Sequence, residues 1–286
     1  MTIKTIDTGP FKLDGGAMFG VVPKTLWQRT NPADDRNLCA WALRNLLIET
    51  HDADGKPRLI LVDTGAGDKQ DAKFFGFYDL PNGKTLAGAI EAAGYSLTDV
   101  TDVLLTHLHF DHAGGAVRWA DAAHTKLVPT FPNAHYWCHS KQWQWAVQPN
   151  PRERATYLRE NFMPLQESGQ LRFTDEERFN IPDIELLYVD GHTEKMILPK
   201  LTVQDKTLLF CADLIPSASH VPVPYVMGYD VRPLLTMDEK TQYLQQAVQE
   251  NWLLVFDHDP TCEAATIETT EKGIRVLDRG MLANFM

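Results

Sequence analysis

Three imidazoles and a carboxylate fall within one short run, at His107, His109, Asp111 and His112. Nitrogen donors joined by a carboxylate suit borderline divalent cations such as zinc. The run directly follows the apolar stretch Val103-Leu104-Leu105. A strand ending there would put His107 and His109 on one side, because side chains along a strand repeat with period two. The chain must then turn, and Ala113-Gly114-Gly115 supplies small residues for close packing. Asp111 and His112 are expected at that turn, at the start of a short helix. A lone histidine is more often a satisfied core or surface group. Three beside an aspartate, at a strand terminus, are hard to satisfy without a cation.

Four other segments carry acids or histidines at the ends of apolar runs. They are Leu61-Val62-Asp63-Thr64-Gly65, Asp190-Gly191-His192-Thr193, Phe210-Cys211-Ala212-Asp213 and Phe256-Asp257-His258. Taken singly, each has an ordinary reading: His192 and His258 as loop histidines, Asp213 as a turn or cap residue. In order around His107-x-His109-x-Asp111-His112, the five segments resemble the metallo-β-lactamase superfamily. That resemblance implies an α/β chain folded as an αββα sandwich, two mixed β-sheets flanked by helices, with metals at one edge. It implies two divalent metal ions, zinc first, with iron, manganese or cobalt as alternatives. Carried over position by position, His107, His109 and His192 would hold one ion, and Asp111, His112 and His258 the other. Asp213 would bridge both. Asp63 is expected to orient a ligand imidazole rather than bind metal. Two carboxylates and five neutral imidazoles around two divalent ions leave a site of about +2, enough to polarise a carbonyl or phosphoryl oxygen.

Within the superfamily, an Asp at the bridging position resembles glyoxalase II, the N-acyl-homoserine lactonases, methyl parathion hydrolase-like enzymes and RNase Z, the last disfavoured by the acidic charge balance. The stretch Gly15-Gly16-Ala17-Met18-Phe19-Gly20-Val21-Val22-Pro23, running on to Trp27, is similar to the lactonase and methyl parathion hydrolase branch. The chemistry implied is attack of a metal-bridging hydroxide on a lactone, ester or phosphotriester, with Asp111 and Asp213 as the catalytic acids and Asp111 as proton carrier. Met18, Phe19, Trp27, His220 and Tyr225 are the candidate substrate pocket. Some lactonases carry a Tyr three residues after the bridging Asp; here that position is Pro216. His220, Tyr225 and Tyr229 are candidates to replace it. Phe74-Phe75-x-Phe77-Tyr78 reads as an apolar wall for acyl or aryl groups, or, more readily, as rings of which some are core. A glyoxalase II-like thioesterase is the alternative, disfavoured because only Pro260–Met286 follows the last candidate ligand. A non-catalytic or redox metal-binding protein on the same scaffold is the other. His109 stands where the flavodiiron branch has Glu, which argues against redox iron.

The elements that must position these groups show as short apolar runs. Strands are expected at Leu43–Glu49, Arg58–Asp63, Val103–Thr106, Lys126–Pro129, Ala134–Cys138, Glu185–Asp190, Thr207–Asp213 and Leu253–Asp257. A helix is expected over Thr85–Ala93, ending at Gly94, and another over Arg152–Glu167. Thr236-x-x-Glu239 reads as a capping box opening a helix to about Glu250, with Leu244, Ala247 and Val248 as its core stripe. Met18–Asp35 and Asp213–Leu235 read as irregular segments of the kind that form lids or pocket walls.

The chain of 286 residues carries a formal net charge of −11. Binding to phosphate backbones usually requires a basic face, so nucleic acid is not expected as a partner. No apolar run approaches a membrane span, and no basic-then-apolar leader opens the chain. Cys39, Cys138, Cys211 and Cys262 form no C-x-x-C pair, which fits a reducing compartment. A cytoplasmic enzyme acting on a small-molecule substrate is expected, away from membranes. It reads as one domain over 1–286, with an N-terminal loop extension of about 10–36 near the active site. Trp27 reads as an exposed aromatic that would serve a homodimer interface or a lid.

Overall fold

Runs of β-branched, leucine and aromatic residues set the strands of two six-stranded sheets. The computed structural model describes residues 1–80 and 84–286. The chain divides into two compact units. The first holds Met1–Gly9, Leu43–Phe77 and a stretch ending at Pro182. The second holds Pro10–Ala42, Tyr78–Leu80 and Asp183–Met286.

The strands up to Pro182 are β1 (Thr2–Asp14), β2 (Leu38–His51), β3 (Pro57–Val62), β4 (Asp102–Leu104), β5 (Val117–Trp119), β6 (Leu127–Pro129), β7 (His135–Cys138) and β8 (Leu171–Phe173). The first sheet has the order β1-β2-β3-β4-β7-β8, and β5 and β6 form a small ribbon. β2 and β3 are antiparallel, whereas β3-β4, β4-β7 and β7-β8 are parallel. The C-terminal ends of β3 and β4 therefore lie side by side, and Asp63 and His107 follow those two ends. Beneath them is a core that includes Leu61, Val103, Leu105, Leu108, Tyr136 and Phe162.

The second unit carries β9 (Ile184–Val189), β10 (Met196–Val203), β11 (Lys206–Phe210), β12 (Leu253–Val255), β13 (Ala264–Thr270) and β14 (Gly273–Gly280). Its sheet runs β14-β13-β12-β11-β10-β9. β9 and β11 are each antiparallel to β10, and β12 is parallel to β11. So β9, β11 and β12 all point the same way. The segments leaving their C-terminal ends carry His192, Asp213 and His258 at one edge of this sheet. Mixed pairing and interleaved helices match the expected α/β class, and each expected strand is present within a few residues of its bounds.

Five expectations are corrected. Arg152–Glu167 is not one helix: a series of turns leads to a short 3-10 turn at Arg159–Asn161 and a helix at Met163–Glu167. The Asn150 side chain accepts from the Arg152 and Glu153 amides, which commits this stretch to turns, and Pro164 favours a fresh helix start at Met163. Thr236 and Glu239 do not form a capping box. That helix starts earlier, at Pro233, and runs to Gln249. Glu239 instead accepts from the amides of Asp190 and Gly191 at 2.7 and 3.0 Å. The aromatics Phe74, Phe75 and Tyr78 are half-buried and Phe77 is exposed, so none of them is core. Trp27 is not exposed but fully buried. The segment expected as an N-terminal loop starts as the end of β1 and then forms short helices at Gly15–Phe19 and Lys24–Trp27. Among the described residues, no helix is long and apolar enough to cross a membrane.

Candidate metal centre

In the first unit, β4 ends at Leu104 and the motif follows as an extended segment into a helix at Phe110–Ala113. Leu105 and Leu108 are fully buried and bracket Thr106 and His107, so the core holds the backbone of the motif. Gly114 makes the turn possible, since a Cβ there would strike the Ala66 carbonyl. His107 Nε2 and His109 Nδ1 face each other at 3.1 Å. Asp63 stands behind them in a left-handed backbone conformation, φ 59°. Its carboxylate accepts from the Thr106 amide and hydroxyl, each at 2.8 Å, and lies 3.0 Å from His112 Nδ1. Since the Thr106 hydroxyl proton goes to Asp63, His107 Nδ1–H donates to Thr106 Oγ1 at 3.0 Å. His109 Nε2 faces Glu153 Oε1 at 3.4 Å. His112 Nε2 is the nitrogen turned toward Asp111, 4.0 Å from its Oδ2.

In the second unit, Ala212 takes φ 42°, a left-handed conformation that turns the chain just after β11 and presents Asp213. Asp213 Oδ2 lies 3.0 Å from His192 Nε2, and Oδ1 lies 3.2 Å from His258 Nε2. One carboxylate thus addresses two imidazoles, one with each oxygen. The far nitrogens are committed: His192 Nδ1 to Asp230 at 2.9 Å and His258 Nδ1 to the Ala42 carbonyl at 2.8 Å. Asp257 is a further acid here, with Oδ2 3.7 Å from His258 Nε2. Gly191 allows the His192 loop to lie against Thr236, whose backbone nitrogen a Cβ would strike. Burial alone would lower His192, but the Asp213 and Asp230 carboxylates raise it to about 10.

These donors fit divalent cations. The Thr106 hydroxyl behind His107 takes its outer N–H, so the His107 Nε2 lone pair faces His109 Nδ1 across 3.1 Å, with the Glu153 carboxylate behind the other His109 nitrogen. In the second unit, the His258 lone pair faces a carboxylate oxygen for the same reason. Such arrangements repel unless a proton or a cation lies between them. Ligands at zinc bond lengths in tetrahedral array stand about 3.3 Å apart, close to the separations within each set.

The remaining sequence candidates lie in the second unit. Met18, Phe19, Trp27 and His220 are all buried. The Phe19 ring stacks on Trp27 at 5.2 Å and on His220 at 4.6 Å, with Tyr225 edge-on at 6.2 Å. His220 has both nitrogens engaged, Nδ1 with Ser217 Oγ and Nε2 with the Met18 carbonyl. Burial drives it down to about 3, so it is a neutral ring. Pro216 serves as a strut: its carbonyl accepts from the His258 amide at 3.0 Å. In the first unit, Phe74 packs edge-on to Phe110 of the motif at 5.2 Å. Sequence reasoning missed Glu153, Asp230 and Asp257 as partners of the histidines. Asp257 stood inside a recognised segment; the other two lie in turns with no local signal. The four cysteines are free and buried, and burial pushes Cys39 up to about 11.

A model of the metallo-beta-lactamase superfamily matches residues 48–258. A probable metallo-hydrolase of Mycobacterium tuberculosis is 34% identical over 123 residues, which is 40% of this chain and 34% of that protein. The chain thus spans about a third of the length of the curated relatives it matches. A probable metal-dependent hydrolase from Staphylococcus aureus shares the fold at TM-score 0.86 and 25% identity, over 98% of this chain and 96% of that one. The dizinc quorum-quenching lactonase AidC shares it at TM-score 0.78 and 20% identity, over 98% of this chain and 95% of that one. The family match takes in every histidine and aspartate of both donor sets, and the chain belongs to the metallo-beta-lactamase superfamily.

Proposed function

We propose that the chain is a metal-dependent hydrolase with a dinuclear centre, zinc first among the candidate metals, acting on lactones or simple esters. The observation that carries this reading is Asp213, whose two oxygens face His192 and His258 separately. A carboxylate so placed is suited to bridge two ions. The proposed sets are His107, His109 and His192 with Asp213 for one ion, and His112 and His258 with Asp213 for the other. Asp257 stands with this second set, whereas Asp111, expected as a ligand from the sequence, is not part of it and lies beside it, 4.0 Å from His112 Nε2. Two ions held there would supply a hydroxide nucleophile near neutral pH and a Lewis acid for the developing oxyanion.

The residues of this chain have separable tasks. Asp63, Thr106, Asp230 and the Ala42 carbonyl hold the imidazoles in the tautomer that presents a lone pair inward. Asp111 would accept the proton given up by the attacking hydroxyl after it adds to the carbonyl and pass it to the leaving oxygen. Phe74 and its neighbours, half-buried against Phe110, form an apolar wall for an acyl chain. For the role of the tyrosine found in some lactonases, His220 is unsuited because both its nitrogens are bound within the chain. Tyr225 is the assigned replacement: half-buried beside Phe19, with no hydrogen bond of its hydroxyl among the described residues. The fold shared with AidC, whose complex holds a homoserine product, supports the lactone class.

The test is a hydrolysis panel on zinc-loaded protein: acyl-homoserine lactones, aryl esters, a phosphotriester, a glutathione thioester and a cephalosporin. Lactone or ester turnover is expected to lead. Thioester turnover alone would move the assignment to a glyoxalase II-like enzyme. Tyr225→Phe is expected to lower kcat/KM about 100-fold with metal content unchanged; an unchanged rate would remove Tyr225 from the site.

A further inference from the structure

The geometry points to Glu153 as a positioning residue that fixes the tautomer of His109, and so makes Nδ1 the metal-binding atom. This rests on the dinuclear reading above, but the orientation of His109 can be read without metal.

Glu153 lies 44 residues from His109 in sequence, in the turn region after the helix Ser140–Val147. It is 4% exposed. A carboxylate that deeply buried is costly unless donors surround it. Its Oε2 accepts from Trp145 Nε1 at 2.6 Å and from Asn150 Nδ2 at 2.5 Å. Its Oε1 lies 3.4 Å from His109 Nε2 and 3.4 Å from the Tyr157 hydroxyl. The Tyr157 hydroxyl has one proton and a nearer acceptor, Gln142 Oε1 at 3.2 Å. With that proton directed to Gln142, the donor to Oε1 is the His109 Nε2–H. The Tyr157 ring lies against the imidazole at 4.8 Å, which sets its plane.

The consequence is specific. An imidazole that keeps its proton on Nε2 offers the Nδ1 lone pair, and Nδ1 is the atom facing His107 Nε2. The Asn150 and Trp145 bonds hold the carboxylate so that its other oxygen can do this. A buried acid that donates nothing is the acceptor required. An amide in its place would not serve. Glutamine would turn its single oxygen to the two strong donors, Trp145 and Asn150, and its NH2 to His109. That NH2 would donate to Nε2 and force the proton onto Nδ1.

Two variants separate this from simple packing. If Glu153 only fills space and ties the turn, Glu153→Gln, which keeps shape and volume, should be milder than Glu153→Ala. If Glu153 sets the tautomer, Glu153→Gln is expected to weaken one of two metal-binding events 10- to 100-fold, at least as much as Glu153→Ala. The second event should stay near the wild-type value. Metal affinity is read by titration of the chain with cobalt(II), whose visible spectrum reports each site. The tautomer is read on metal-free, 15N-histidine-labelled protein by the ring nitrogen shifts. Wild type is expected to show His109 protonated at Nε2, and Glu153→Gln at Nδ1. Should Glu153→Gln not fold, Glu153→Ala must show a mixture of both tautomers. The same His109 tautomer in wild type and variants, or unchanged cobalt affinities, would overturn the inference. Wild-type protein that takes up no cobalt but shows the predicted tautomers would sink the dinuclear reading while leaving the role of Glu153 standing.

Discussion

Each histidine of the two donor sets has one nitrogen committed to an oxygen of the chain, and this division decides what the other nitrogen can do. Asp63 shows how much rests on one acceptor. It takes the Thr106 amide, the Thr106 hydroxyl and His112 Nδ1, all buried. Asp63→Ala would leave these donors without their acceptor. Chemical denaturation is expected to show a loss of about 3 kcal/mol, and zinc affinity to fall roughly 10- to 100-fold. A loss confined to stability, with zinc binding intact, would mean that Asp63 supports the fold alone. The pH response of the metal-free chain follows from His192. Its value of about 10 in the folded state exceeds the ordinary value of about 6.5 expected in the unfolded chain. The folded state therefore binds the extra proton between those limits. The stabilisation from this residue is complete below about pH 6.5 and is lost as pH rises through about 10. A cation must displace that proton, so metal uptake near neutral pH should release protons, and affinity should rise with pH. Calorimetry in two buffers of different ionisation heat measures the release; equal heats in both would contradict it.

Elements place the residues where strand ends coincide. Parallel β3 and β4 bring Asp63 beside the histidine run, and β9, β11 and β12 share a direction that gathers His192, Asp213 and His258 at one edge. The motif is held from beneath by leucines between its polar positions. Leu108→Ala is expected to cost about 2–5 kcal/mol and to lower metal occupancy with it; a small loss of stability would mean the motif is not anchored by the core. Gly114→Ala meets the Ala66 carbonyl and is expected to cost about 1–3 kcal/mol, measured by the same denaturation. The central strands were legible because both faces are buried, as in Leu59–Val62 and Val103–Leu105, and buried strands read as continuous apolar runs. The edges were not. β1 alternates only loosely, and β14 leaves Leu277 exposed, so neither stands out from loop. Thr236 and Glu239 have the spacing of a capping box, yet Glu239 is spent on the His192 loop. That use depends on tertiary contact, which local spacing does not encode. For the same reason the histidines and acids of the site could be named from their runs, whereas Glu153 and Asp230, which hold them, could not.

At the scale of the whole molecule, a net charge of −11 and a set of buried carboxylates favour cations as partners. Bound metal is expected to stabilise the chain, because it would separate the facing donors and neutralise the carboxylate of Asp213. A ligand that binds only the folded state at about 1,000 times its Kd adds about 4 kcal/mol. Chelation should therefore lower the Tm well beyond scan error, and zinc should restore it. An unchanged Tm on full removal of metal would argue that the two sets of donors are satisfied by protons alone. The most direct test of the central claim is the metal stoichiometry of zinc-loaded protein by elemental analysis, with His109→Ala and Asp213→Ala alongside. Two zinc ions per chain are predicted for wild type, with loss from both variants. One ion or none in folded wild type, or full occupancy in both variants, would contradict the dinuclear centre.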